Sequence, residues 1–516
     1  MTPEALRTVQ AYVAQAKQAL ACSDAAAAQQ AYQQAHLTCP ENTEILLDLA
    51  AACLNNRQAA QAYAYAQKAG LGSTAWRAQM VMASASKQMQ QPDAATLHFH
   101  NALNQPSVPA NARVAALQQL ADIQLNAFGD ARSAALSITQ AATLKPALAL
   151  ESELATLVAN LYEGNMGGAG IAAGFTALAD KLHANTPAVR PQTQRQIIKR
   201  SRLRIGLISQ QFCASPVGFF TLGAVSSLAR NADLIFFDRG AKSDWANAAF
   251  KSSARHWLCC GMLDATQLYK LLLEADLDAV IDLSGWTDPP VLCALSARPV
   301  QKQLKWVGGQ SLSTGMRCFD GFITDKRQVP PKASHLYTEP LLYASHNYIT
   351  YTAPPYARAL AAATARPPLP SYKPQAGVVA VASNPVKISH STVLSLQKMR
   401  PRKLLLIDQR WQHKGTLLAA QSRLGNLLDV AEFVTPPNHV QYLAALQDLD
   451  ATFLDTSPYA MGLSAVELRL LGKHICAAPR SVSALMYERH CTAHLGSRRF
   501  DHHEVLAKQL QHWCQT

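Results

Sequence analysis

Four alanine-rich segments near the start of the chain repeat one another at a spacing of about 34 residues. They are AAQQAYQQAHLTCP (27–40), AQAYAYAQKAG (60–70), DAATLHFHNALNQP (93–106) and ARSAALSITQAATLKP (131–146). Each sets small residues around a large one, as Ala95 and Ala102 flank Phe99, and three of the four close on a proline. Small side chains at helical spacing let two helices approach closely, and a proline stops the second helix before the next begins. Almost no strand signal interrupts this pattern up to residue 185, so residues 1–185 are expected to form paired, stacked helices.

The period and the logic are those of tetratricopeptide repeats in degenerate copies; an alanine-rich bundle without a repeat would use the same helices. Arrays of this kind chiefly bind peptides or other proteins along one face. A basic, Gln-rich linker follows at 186–202, and then the grammar changes. Short apolar runs, LRIGLIS (203–209), DLIFFD (233–238), DAVIDLSG (278–285), QLKWVGG (303–309) and GFITD (321–325), alternate with helical stretches. A Pro- and Ala-rich connector spans 353–376. A second series, GVVAVAS (377–383), KLLLID (403–408), DVAEFV (429–434), ATFLD (451–455) and KHICAA (473–478), comes after it. Alternating strands and helices imply parallel sheets covered on both faces, here one Rossmann-like domain over 203–352 and another over 377–516. Ligands of such paired sheets sit where the strands' carboxyl ends face each other.

Composition narrows the function. The chain has 516 residues, 49% hydrophobic and 16% charged, which is globular and calls for several domains. Its net charge of +13 is concentrated partly in RPQTQRQIIKRSRLR (190–204) and KMRPRK (398–403). No zinc finger, RNA-recognition signature or aromatic-basic interleaving accompanies it, so nucleic acid is not the expected partner. No apolar stretch is long enough to span a membrane and no signal pattern opens the chain, so a cytoplasmic protein is expected. The eleven cysteines form no CxxC pair and read as buried free thiols, and no metal site is expected.

The run DLSGWTDPPVLCALSARPVQKQLKWVGGQSLSTGMRCFDGFITD (282–325) carries the most specific pattern. Together with LRIGLISQQFCASPVG (203–218), VAVASNPVKIS (379–389) and AALQDLDATFLDTSPYAMGLSAVELRLLGKHICA (444–477), it resembles the catalytic half of O-GlcNAc transferases and their HMW1C-like, asparagine-glycosylating cousins. The matches occur in order over roughly residues 200–516, and the family also carries helical repeats ahead of its catalytic half. The resemblance implies an α + α/β protein: a tetratricopeptide-like array followed by a GT-B pair of Rossmann-like domains. It implies inverting, metal-independent transfer of GlcNAc or a hexose from a UDP donor, the co-substrate, to a Ser/Thr or Asn side chain of an acceptor protein held by the repeats. No cofactor is implied.

Carried over by motif, Lys387 meets the diphosphate. Asn384, Gly462, Ser464, Glu467 and Tyr442 fall on the donor side, with Glu467 at the place of an acid that holds the ribose. Pro216, Thr287, Gly309, Gln310, Ser313 and Thr314 fall in the loops near sugar and acceptor. The sequence also departs from the family. Gln211 and Ser215 stand where the family has an acid and a histidine, AMGLS replaces the family's NGxTT, and Trp286 replaces a smaller polar or aromatic residue. Two readings are therefore kept: an active protein glycosyltransferase with altered site chemistry, or a catalytically degenerate scaffold that binds a client or an active partner.

Overall fold

A computed structural model describes residues 2–69, 75–184, 200–309, 312–366, 373–477 and 499–516. The chain divides into two compact units, Met1–Thr156 with Gln412–Ala419, and Leu157–Trp411 with Ala420–Thr516.

In the first unit the repeated segments are the helices Ala25–Thr38, Ala59–Ala69, Pro92–Leu103 and Ala131–Leu144. Each is the second member of a helical hairpin, packed on Pro3–Ala21, Thr43–Asn55, Ala75–Gln88 and Ala110–Asp122 respectively. The small residues do what their spacing predicts: Ala28, Ala62, Ala66, Ala95 and Ala102 have no exposed surface, and Phe99 is fully enclosed among them. Helix starts are fixed by side-chain caps. Asp24 accepts from Ala27 N at 2.9 Å and Asp130 from Ser133 N at 3.0 Å, each satisfying an otherwise orphan donor.

The helical stretch expected over 1–185 is shared between the units. Residues 157–184, including the helix Gly167–Ala184, belong to the second. Most of the linker 186–202 lies outside the described residues. Its described end is bound to acids, Arg202 Nε lying 3.0 Å from Asp233 and Arg200 Nε 3.6 Å from Asp278.

The second unit contains two all-parallel sheets. The first has seven strands, β1 (Leu203–Ser209), β2 (Ala232–Asp238), β3 (His256–Cys259), β4 (Ala279–Asp282), β5 (Lys302–Lys305), β6 (Gly321–Thr324) and β7 (Leu341–Tyr343), in the order β3-β2-β1-β4-β5-β6-β7. The second has β8 (Val378–Val381), β9 (Lys403–Ile407), β10 (Ala431–Val434), β11 (Thr452–Asp455) and β12 (Ile475–Ala477), in the order β10-β9-β8-β11-β12. Both are doubly wound, each reversing direction beside its first strand. One apolar cluster joins them, running from Leu207 and Phe236 through Tyr351 and Leu405 to Phe453.

Two segments lie differently from their sequence reading. The connector 353–376 contains a helix, Ala359–Ala365. The closing helix His503–Gln515, expected within the second Rossmann-like domain, packs on the helix Pro216–Leu228 and on β1 and β4 of the first.

Candidate functional site

Reversal of winding beside β1 and β8 opens a crevice at the carboxyl ends of both sheets, and a cavity of about 390 Å³ lies there. Loops after β1, β4 and β5 bring Gln211, Pro216, Thr287 and Gly309 to its wall. Loops after β8, β9 and β11 bring Asn384, Lys387, Asp408, Gly462 and Ser464. Residues more than 240 positions apart in sequence thus share one hollow.

The second-sheet side gathers a lysine and a helix N-terminus. Asn384 Oδ1 accepts from Val386 N at 3.1 Å and fixes the tight turn Pro385–Lys387. That turn sends Lys387 to the neighbouring loop after β11, where Nζ donates to Ala460 O at 2.9 Å and lies 4.4 Å from the centre of the Tyr459 ring. The same loop leads into the helix Leu463–Leu470. Gly462 at its N-cap has no side chain to bond the first N–H groups, and Gly462, Leu463 and Ser464 line the cavity, so the positive end of the helix dipole lies at its wall beside a lysine.

The first-sheet side is shaped by a buried lysine. Lys305, at the end of β5, is 1% exposed, and its ammonium donates to the carbonyls of Asp282, Trp306, Val307 and Gly308, with the Asp282 carboxylate 3.9 Å away. Burial pulls its pKa below the ordinary lysine value, opposed by Asp282. This anchor curls Val307, Gly308 and Gly309 into consecutive left-handed conformations, with φ of 39°, 74° and 67°. A Cβ on Gly308 would lie 1.8 Å from Leu283 O. At the neighbouring loop Ser215 caps the helix Pro216–Leu228, its Oγ accepting from Gly218 N at 3.2 Å and donating to Gln211 O at 3.1 Å. Ser215 is thus a capping residue, and Gln211 and Pro216 are the ones on the cavity wall.

Several expected site residues stand elsewhere. Ser313 and Thr314 are buried at 2% exposure and bind Glu339: Ser313 Oγ donates to Oε2 at 2.7 Å, and Thr314 N donates to Oε1 at 2.7 Å. They do not line the cavity, because the helix Gly167–Ala184 covers their loop. Phe175 stacks on Trp286 at 6.0 Å, and Trp286 Nε1 donates to Thr314 O at 2.8 Å. Gln310 lies outside the described residues. Glu467 is fully buried, and Oε1 is engaged by the Tyr351 hydroxyl at 3.1 Å and by His439 Nε2 at 2.8 Å. Its Oε2 has no hydrogen-bond partner among the described residues. Tyr442 stacks on His439, 6.0 Å between centroids, and burial raises its pKa above the usual phenol range. Glu467 and Tyr442 therefore form, with His439 and Tyr351, a layer behind the lining residues. Among the residues missed from sequence, Lys305 left a signal: a lysine inside the apolar run LKWV must find partners if that run is a buried strand. His439 left none.

No protein-family model matches the chain. Along its whole length it superposes on an O-GlcNAc transferase of Thermobaculum terrenum, covering 91% of that chain with a TM-score of 0.62 at 20% sequence identity. The fold is that of an O-GlcNAc transferase. A stretch of 160 residues is 24% identical to a probable UDP-N-acetylglucosamine–peptide N-acetylglucosaminyltransferase, SPINDLY, of Solanum lycopersicum. Over 151 residues the chain is likewise 24% identical to the probable SEC transferase of Arabidopsis thaliana. The matched stretches are 30% and 28% of this chain and 17% and 15% of those relatives. The O-GlcNAc transferase-like fold accounts for the two doubly wound sheets and the crevice at their carboxyl edges. Among the described residues no helix is long and apolar enough to cross a membrane.

Proposed function

We propose that the chain transfers a sugar, GlcNAc or a hexose, from a UDP donor to a protein side chain, Ser/Thr or Asn, without metal or cofactor. What supports this is the meeting of the Lys387 ammonium with the uncapped start of helix Leu463–Leu470 in one cavity between two Rossmann-like sheets. Charge developing on a departing diphosphate would be stabilised by these preoriented donors, the part a metal plays elsewhere. In a single inverting displacement the acceptor atom bonds to the anomeric carbon as the bond to the diphosphate oxygen breaks. Gln211 does not titrate and Ser215 is held as a cap, so the acceptor's proton would pass to a non-bridging oxygen of the departing diphosphate. The helical repeats would hold the acceptor protein, and a cytoplasmic reaction suits a nucleotide-sugar donor. The relatives' printed activities and the fold likeness lend weight to the class.

A second reading has its own observation. The carboxylate at the expected ribose position is already bonded to Tyr351 and His439, as suits a scaffold that has lost turnover. Calorimetric titration with UDP, UDP-GlcNAc and UDP-glucose separates the two when paired with mass spectrometry of lysate proteins. The transferase reading expects micromolar UDP binding, at least about tenfold weaker in Lys387→Ala, from loss of a charge-assisted contact. It also expects a hexose or N-acetylhexosamine increment that depends on the protein. Binding without any increment supports the scaffold. No binding of any UDP species at millimolar concentration defeats the donor assignment altogether.

A further inference from the structure

Strands β6 and β7 end on a second hollow, also of about 390 Å³, whose wall includes Lys326, Arg327, Tyr343, His346 and Arg499. It backs onto the first cavity. Thr324, Gln328 and Tyr348 line the first, while their chain neighbours Asp325, Arg327 and Asn347 line the second.

The charges here are arranged in one sense. Asp325 is the one acidic residue on the wall among the described residues, and its carboxylate is turned inward. Oδ1 accepts from Arg327 N at 2.8 Å and Gln328 N at 2.9 Å, and Oδ2 from Tyr348 N at 3.2 Å. This turn presents the next two residues, Lys326 and Arg327, both exposed. Neither side chain has a hydrogen-bond or ion-pair partner among the described residues. Across the hollow, Arg499 is held by Asp501 through Nε at 3.0 Å and Nη2 at 2.8 Å, which fixes the guanidinium and leaves Nη1 unbonded among the described residues. His346 is stacked on His502 at 5.6 Å. The Tyr343 hydroxyl is buried without a partner among the described residues. A concave wall whose exposed charges are basic focuses its field into the hollow.

We propose that this hollow is a second anion site, distinct from the donor cavity, that takes a small phosphate-bearing molecule. A phosphate carries nearly two charges and three acceptor oxygens, enough to meet Lys326, Arg327 and Arg499 together, where a lone carboxylate is not. The volume suits a ligand of sugar-phosphate to nucleotide size.

The probe is inorganic pyrophosphate, titrated into the full chain by calorimetry at low ionic strength. Lys387→Ala is expected to keep a pyrophosphate site, whereas Lys326→Gln combined with Arg327→Gln weakens that site at least about tenfold, the loss of two charge-assisted contacts. Both basic residues are exposed, so the double variant should unfold at the wild-type midpoint. A charge-matched control in the helical repeats, Arg7→Gln with Lys17→Gln, should leave binding unchanged. Three results overturn the proposal: equal weakening by the control, unchanged affinity in the double variant, or loss of all pyrophosphate binding in Lys387→Ala. The last would place the anion in the donor cavity alone and leave the transferase reading standing.

Discussion

Glu339 is 3% exposed, yet Ser313 and Thr314 converge on it from a loop 25 residues earlier and donate to both of its oxygens. Burial drives its pKa above the ordinary carboxyl range, and the hydrogen bonds offset only part of that push. The sign follows by linkage. A carboxyl raised in the folded state binds its proton more tightly there than in the unfolded chain. Its contribution is therefore fully present below the unfolded value and is lost as pH rises through the folded one. Wild-type stability is expected to fall relative to Glu339→Gln as pH is raised from about 4 towards 8, starting near the ordinary glutamate value. Urea unfolding of both proteins at several pH values checks it, and a difference independent of pH, or one that grows with pH in the wild type's favour, contradicts the assignment. The same buried acid explains why Ser313 and Thr314 were misplaced from sequence. Hydroxyls beside glycines look like ligand-binding groups until the partner that consumes them is known, and Glu339 carries no local pattern that announces it.

Among the elements, the loop after β5 shows how a few residues set the wall of a cavity. Gly308 combines a left-handed φ with a carbonyl, Leu283 O, where a Cβ would stand, whereas Gly425 has φ of 52° with nothing within 4 Å. Gly425→Ala should therefore cost only the left-handed penalty of about 1–2 kcal/mol. Gly308→Ala adds displacement of backbone at the end of β4, so its cost should exceed that range, and it should also weaken UDP binding. Equal costs in chemical denaturation would sink this account of the loop. Legibility in the sequence followed burial. Strands enclosed on both faces, such as β1, β2 and β9, announce themselves as apolar runs. The edge strands β3, HWLC, and β7, LLY, were missed because each offers only three consecutive apolar residues and neither is enclosed, too short a run to stand out as a strand. Lys387 and Asn384 follow β8 and line the cavity, as a chain leaving a buried parallel strand emerges at the crevice. Which polar residues then face the hollow, and which pack behind it as Glu467 does, depends on Tyr351 and His439, which reach it from other elements.

The second unit is closed by its own last helix. From Phe500 onward the chain returns to the first sheet, Phe500 O accepting from Tyr351 N at 2.9 Å and Asn347 Nδ2 donating to Arg499 O at 2.8 Å. His503–Gln515 then lies along Pro216–Leu228, close enough that a Cβ on Gly223 would fall 2.2 Å from His503 Nδ1. Leu506 and Leu510 have no exposed surface there. The helix thus supports from behind the same element whose first turn, Pro216 and Val217, walls the crevice cavity. Truncating Leu510 to alanine should cost about 2–5 kcal/mol, as for other enclosed leucines. The loss should be local: amide exchange should accelerate first in Leu203–Ser209 and Pro216–Leu228, with Lys403–Ile407 less affected. Because the cavity wall stands on that helix, UDP affinity should fall as well, although Leu510 is not among its lining residues. Faster exchange in Lys403–Ile407 with Leu203–Ser209 unchanged would show that the helix supports the second sheet instead, and that the cavity does not depend on it.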